Sequence, residues 1–376
     1  MEKAVFIKPM GCAQNRFDAQ ILAAILYESG ILAYDQGLFS DSTLFKYDVE
    51  RFFLKESVFL VLYQCALCSK SEENSLLAIE GARKINPHIK VIVTGCLTAV
   101  KNEILGHPVM MFKEIADVQQ SIIDYIAQQK GLAESNNTLH QFVRETGKLE
   151  AKVVHLKRGC RKYCTYCICP HLNKEKMENF HEIKRQLDYL HKIGVEKIEF
   201  GGPDIGDWVD TENNKTFEDI LRLNLEEYDF DINYLEIHPV DMTDGIIELL
   251  KNKRVTREIS LPIQSASDKL LKAMNRRYDG QYLRNLFTKL INQVPDILIT
   301  TDIMIGFPGE TQECFHATRE FLEEFNKNIV RVDYYEFSAR PHTPAARSDK
   351  QMLDFEAVKR RFESYSELIQ KKTALH

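Results

Sequence analysis

Hydrophobic positions in the first 130 residues form short runs that alternate with longer periodic stretches. Residues 4–8, Ala-Val-Phe-Ile-Lys, make a β-rich run. It leads into Gly11-Cys12 and then a stretch with Phe17, Ile21, Leu22, Ile25 and Leu26 at helical spacing. Residues 57–62, Ser-Val-Phe-Leu-Val-Leu, are apolar enough for a strand covered on both faces. They lead into Cys65 and a helix opening near Ser71, where acidic residues follow. Residues 90–94 run straight into Gly95-Cys96. Strands alternating with helices predict an open parallel α/β sheet. Each of the three strands delivers one cysteine just past its carboxyl end, the edge where open α/β sheets bind ligands. Cys12, Cys65 and Cys96 are thereby placed to converge on one site.

Residues 128–148 are rich in Gly, Ser, Asn and Glu and predict a linker. They divide the chain into a domain over 1–148 and another over 149–376. The second half gives six strand-then-helix units, with strands at 152–156, 197–200, 233–237, 257–262, 297–305 and 331–337. Six units are too few for a closed eight-fold barrel. They predict an open partial (β/α)6 barrel with its functional groups at the strand carboxyl ends.

The 376 residues suffice for two such domains. With 44% hydrophobic and 28% charged residues, the chain is neither disordered nor collagen-like. The net charge of −6 argues against a bare polyanion binder, although bulk charge can hide a local patch. The amino terminus lacks a secretory signal. The best apolar run, 57–68, is too short to span a membrane. A cytoplasmic location is expected, with no membrane partner. The nine cysteines are odd in number and unevenly clustered, which speaks against a disulfide framework and for metal or redox chemistry.

Cys160, Cys164 and Cys167 follow the first barrel strand as C-x3-C-x2-C. Three thiolates on one loop can hold three corners of an iron–sulfur cube and leave the fourth iron open, whereas electron-transfer clusters use a fourth cysteine. A structural zinc loop is the alternative, but zinc normally takes four ligands in separated pairs. For Cys12, Cys65 and Cys96 the alternative is three buried thiols. Cys68 is a substitute ligand for Cys65, while Cys169 and Cys314 read as small core residues.

The motif on a partial barrel resembles the radical S-adenosylmethionine (SAM) superfamily, and within it the methylthiotransferases. The segments that carry this are Met10-Gly-Cys-Ala-Gln-Asn15, QCALCSK (64–70), VTGCL (93–97), CTYCICP (164–170), LPIQSASDKLLKAMNRRY (261–278), TDIMIGFPGET (301–311) and EFSARPHTPAA (336–346). They span nearly the whole chain in order. The resemblance implies a [4Fe–4S] cluster on Cys160, Cys164 and Cys167 whose open iron binds SAM. It implies a second, auxiliary [4Fe–4S] cluster on Cys12, Cys65 and Cys96 that carries or supplies sulfur. One SAM would methylate that sulfur and a second would be cleaved to a radical, turning C–H into C–S–CH3. A low-potential flavodoxin- or ferredoxin-like electron donor follows from that chemistry.

Further candidates lie at or near the barrel mouth. Gly201 and Gly202 suit close backbone approach to the SAM amine, or an ordinary turn. Tyr166 is placed to pack on adenine, or in the core. Glu236, Gln264 and Asp302 are candidate contacts for SAM or substrate, or structural hydrogen-bonders. Arg276 and Arg340 suit the SAM carboxylate or a substrate anion, or solvent.

Two departures bear on substrate. Family members that modify tRNA or ribosomal protein carry a small β-rich C-terminal domain called TRAM, and the sequence stops at His376, about where it would begin. After the Cys-Pro of the cluster loop, arginines usual in the family give way to HLNKEKMEN (171–179). Both favour a peptide or protein substrate, such as a ribosomally made precursor peptide. The alternatives are tRNA adenosine methylthiolation, sulfur insertion without methylation, and a non-catalytic two-cluster redox protein.

Overall fold

The structure, a computed structural model, describes residues 4–10, 13–28, 31–35, 54–55, 57–64, 69–99, 104, 108–112, 115–128, 152–172, 175–192 and 194–373. Contacts divide the chain into two units. One is Met1–His155 with Lys192–Gly201, the other Leu156–His191 with Gly202–His376. The expected linker and the boundary near residue 148 lie outside the described residues, apart from Gln128 at the end of a helix.

The first unit holds five parallel strands: β1 (Ala4–Pro9), β2 (Leu32–Asp35), β3 (Ser57–Gln64), β4 (Lys90–Gly95) and β5 (Met110–Met111). Their order is β2-β1-β3-β4-β5. Among the described residues, three helices alternate with them: α1 (Ala13–Glu28), α2 (Ser69–Ile85) and α3 (Ile115–Gln128). Period-two alternation splits the strands' apolar side chains between two layers. Phe6, Leu60, Leu62, Val91 and Val93 pack with Ile79 and Ala82 of α2. Val5, Ile7, Phe59, Val61 and Ile92 pack with Ala19, Leu22 and Leu26 of α1 and Val118 and Ile122 of α3. β1, β3 and β4 are the three strands the sequence predicts. β2 and β5, four and two residues long, are additions to these three.

The same unit contains the parallel pair β6 (Lys152–His155) and β9 (Lys197–Gly201). Arg16 of α1 donates to both carboxylate oxygens of Glu199 on β9, at 2.8 and 2.9 Å.

In the second unit, β7 (Lys157–Arg158) pairs antiparallel with β8 (Lys176–Met177), and β10 (Val209–Asp210) with β11 (Lys215–Thr216). β12 (Asp231–Glu236), β13 (Glu258–Ser260), β14 (Leu298–Ile305) and β15 (Ile329–Glu336) are parallel. Within this unit they run in the order β15-β14-β13-β12, and with β6 and β9 of the first unit each of the six expected barrel strands is present. The helices are α4 (Cys169–Leu172), α5 (Phe180–Lys192), α6 (Phe217–Glu227), α7 (Asp244–Leu249), α8 (Asp268–Ala273), α9 (Gly280–Gln293), α10 (Gln312–Glu324) and α11 (Phe355–Thr373). Among the described residues, no helix is long and apolar enough to cross a membrane.

Candidate active site

The chain leaves β7 through Gly159, whose φ of 70° turns it into the loop that carries Cys160, Cys164 and Cys167. All three are free thiols, with Cys164 buried and the other two half-buried. The loop is pinned by its backbone. Thr165 N–H donates to Met274 O at 3.1 Å, and Ala345 N–H to Thr165 O at 2.9 Å. The Thr165 hydroxyl donates to Ala273 O at 2.8 Å. Two donors meet sulfur directly: Lys162 N–H reaches Cys160 Sγ at 3.5 Å and Arg276 Nη1 reaches Cys164 Sγ at 3.4 Å. Donors aimed at sulfur favour the thiolate, the form that ligates metal. A hydrogen bond from Cys169 pulls the Cys167 thiol down. Burial pushes the Cys160 thiol up to about 12, so metal loading there must displace a proton. Among the described residues, no three His, Cys, Asp or Glu side chains are spaced to hold a single ion. A zinc site would need its sulfurs within about 4 Å of one another, given Zn–S bonds of about 2.3 Å.

The positive charges around Cys160 are tied down from below. Lys157, fully buried, bonds Glu175 at 2.8 Å and Asp207 at 2.5 Å. Arg161 meets the second oxygen of Asp207 at 3.3 Å. Lys162 reaches Asp241 at 2.6 Å and Asp204 at 3.3 Å. Asp204 also accepts from His238 N–H at 3.3 Å. Burial pushes the Asp204 carboxyl up to about 7, helped by Asp241 and Asp207. This lattice joins the cluster loop to the loops that follow β9 and β12. Sequence reasoning missed it. The available signal was the placement of Asp204, Asp207 and Asp241 just past strand ends, opposite the cations that flank Cys160.

The other predicted residues divide. A Cβ at Gly202, with φ of 145°, would lie 2.8 Å from both the side chain and the carbonyl of Lys157. The close approach that demands glycine there is made by Lys157 of the chain itself. Gly201 is buried at the end of β9. Tyr166 packs against the apolar cluster of Leu270, Met274, Phe307 and Phe337, and its hydroxyl accepts from Arg276 at 3.2 Å. Arg276 is buried, and each of its three nitrogens has a protein partner: Nε meets Tyr278 Oη, Nη1 meets Cys164 and Tyr166, and Nη2 meets Pro262 O. It therefore orients the cluster loop. Gln264 is buried with φ of 67°, and its backbone bridges to β14 through Asp302 O and Met304 N. Glu236, at the end of β12, is exposed and accepts from Tyr234 at 3.0 Å. Asp302 stands half-buried on β14, in register with Asp333, its carboxyl pushed up to about 7 by burial and by Glu236 and Asp333. Arg340 is buried.

In the first unit, Cys12 and Cys65 lie outside the described residues, as does Cys68. Cys96, half-buried, follows directly on β4. Their setting is described. Pro9 of β1 pairs with Tyr63 of β3, and Gln64 of β3 pairs with Gly95 of β4. The residues that precede Cys12, Cys65 and Cys96 thus end three adjacent parallel strands. Strand order reverses between β1 and β3, the crevice where open sheets of this order bind ligands. Asn15 fastens two of these ends, donating to Met10 O at 2.6 Å and Tyr63 O at 3.5 Å.

Residues 154–322 match the Radical SAM superfamily. Over 399 residues the chain is 26% identical to the tRNA-2-methylthio-N(6)-dimethylallyladenosine synthase of Clostridium perfringens, covering 100% of this chain and 84% of that protein. It is 29% identical to the protein of the same name from Endomicrobium trichonymphae, covering 94% and 81%. Among solved structures it is similar to the cobalamin-dependent S-adenosylmethionine radical enzyme OxsB with aqua-cobalamin and S-adenosylmethionine bound. The TM-score is 0.53 at 12% identity, over 98% of this chain and 56% of that one. That likeness is one of fold.

Proposed function

Since the chain belongs to the radical SAM methylthiotransferase family, we propose that it installs a thiomethyl group on an adenosine of tRNA. It is a sulfur-inserting radical SAM enzyme that uses SAM and a [4Fe–4S] cluster. The observation that carries the substrate is similarity along the whole chain to proteins named for a tRNA adenosine product. Nothing in these similarities supports the peptide substrate that the sequence suggests. The segment behind that expectation also has a use within the fold, because Glu175 partners Lys157 and Arg161.

The residues fit the groups the reaction requires. Cys160, Cys164 and Cys167 would hold the cluster, and the donors from Lys162 and Arg276 suit thiolate sulfur. Glu236 and Asp302, on one face of the barrel strands by register, suit the ammonium and sulfonium charges of SAM. When bound, cluster and SAM supply one-electron cleavage of SAM and removal of a hydrogen atom from the substrate. Arg276 then holds Cys164 and Tyr166 in place, and the Lys157–Asp207 pair keeps the loop's floor from shifting. In this reading Cys12, Cys65 and Cys96 hold the auxiliary cluster. Adjacent parallel strand ends are the support for it.

The test compares cells that express the active protein with cells that express Cys164→Ala. Nucleosides from digested tRNA and the small-peptide fraction are both weighed by mass spectrometry. A thiomethyl gain on adenosine that depends on Cys164 is expected. A gain confined to peptides would overturn the substrate.

A further inference from the structure

The reading above gives α11 no task, yet this helix and the segment before it grip the turn after β14. Gly306 and Gly309, with φ of 80° and 84°, bend that turn. Glu310 folds back over it, and one carboxylate oxygen accepts from Gly306 N–H at 2.6 Å. The other oxygen pairs with Arg361 of α11. Both side chains are buried, and the Arg361 guanidinium lies over the Phe315 ring, 5.2 Å from its centroid. Gly309 N–H donates to Gln351 O at 3.0 Å, and a Cβ at Gly306 would stand 3.3 Å from Val358 of α11. Tyr365, one turn beyond Arg361, packs on Phe315 and stacks on Tyr334 of β15.

The same turn faces the cluster loop. Phe307 belongs to the apolar cluster of Leu270, Met274, Phe337 and Ala345, against which Tyr166 packs. Tyr166 lies between Cys164 and Cys167. Burial pushes the Glu310 carboxyl up, and the charge of Arg361 opposes that shift. A buried carboxylate that loses its cation is strongly destabilised. Turning Glu310 out to water would release Gly306 N–H, and with it the turn that seats Phe307. We propose that Arg361 is a positioning residue for the cluster loop: through Glu310 and Phe307 it fixes the packing surface on which Tyr166 rests. Its role in the reaction rests on the radical SAM reading of that loop, whereas the packing link does not.

Full-length Arg361→Leu and Arg361→Lys are compared with wild type, first as reduced apoprotein by hydrogen–deuterium exchange. In Arg361→Leu, amides of 160–170 should exchange about tenfold faster, while those of β12 and α7 keep the wild-type rate. Arg361→Lys keeps the cation and loses the planar fork, so its rise should be smaller, about threefold. That variant decides the matter if Arg361→Leu does not fold. Unchanged exchange at 160–170, or an equal rise along the whole chain, would overturn the link. The second measurement is 5′-deoxyadenosine formation by iron-loaded enzyme below the melting temperature of each variant. At matched iron content, kcat should fall about tenfold in Arg361→Leu, with Arg361→Lys in between and KM for SAM moving less. An unchanged kcat, the outcome for a helix that only stabilises the fold, would overturn the positioning role. A wild type that holds iron but yields no 5′-deoxyadenosine would end the radical SAM reading and the role with it, while the exchange result shows separately whether the packing link stands.

Discussion

The two parallel sheets differ in how much of them is covered. Along β3, every residue except Val58 is buried, and apolar layers lie on both faces. Along β12, exposed and buried residues alternate, and β15 likewise leaves Arg331, Asp333 and Tyr335 open to varying degrees. Parallel sheets normally bury both faces. The first sheet is a frame covered on both faces. The barrel strands keep polar groups such as Glu236 and Asp302 on one face. The cysteine sets differ to match. In the first unit β1, β3 and β4 are paired in register and Cys96 follows β4, whereas in the second a single loop carries Cys160, Cys164 and Cys167 beside buried ion pairs.

The largest effect should come from removing the loop's floor. Lys157→Met would leave Asp207 and Glu175 without their buried cation. Breaking such a pair costs about 3–5 kcal/mol, toward the lower figure here because Arg161 still meets Asp207. Denaturant unfolding should show that loss, and iron at the Cys160 loop should fall with it. A loss below about 1 kcal/mol would mean the lattice does not hold the loop. Next is Gly95→Ala. With φ of 88° and a new Cβ 2.9 Å from Gln64 O, it should cost about 1–3 kcal/mol. It should also remove about half the iron while cleavage of SAM persists, since the radical cluster sits elsewhere. Loss of SAM cleavage together with that iron would end the distinction between a register-built site and a loop-built one.

The smallest effect concerns the polar face. Asp302 has its carboxyl pushed up to about 7 by burial and by Glu236 and Asp333. Its neutral form is the one that folding favours. The corresponding stability is fully present below an unfolded value of about 4 and is lost as pH rises through about 7. Asp302→Asn stays neutral throughout, so its melting temperature should exceed that of wild type by more at pH 8 than at pH 5. A difference independent of pH would show that the face does not depend on this charge.

Much of this was legible in the sequence, for reasons particular residues make plain. The apolar runs that became β1, β3 and β4 and the six barrel strands are long enough for periodicity to register. Cys160, Cys164 and Cys167 are local, so one loop carries all three and their spacing is visible in the sequence. β2 and β5 are too short to stand out. The ion lattice was hidden because its partners lie far apart, with Lys162 and Asp241 separated by 79 residues. The contact of Lys157 at Gly202 and the three partners of Arg276 were hidden as well, because crowding and burial are properties of the folded chain.

The Arg16–Glu199 pair has a consequence for how the protein is made. A residue in the first helix waits for one synthesised 183 positions later, on a strand that contacts assign to the first unit. Until β6 and β9 leave the ribosome, the surface of α1 that receives them stays open to solvent. Expression of the first 150 residues alone would keep it that way. A fragment of that length lacks Glu199, β6 and β9, and is expected to carry an uncovered surface on α1 prone to aggregation.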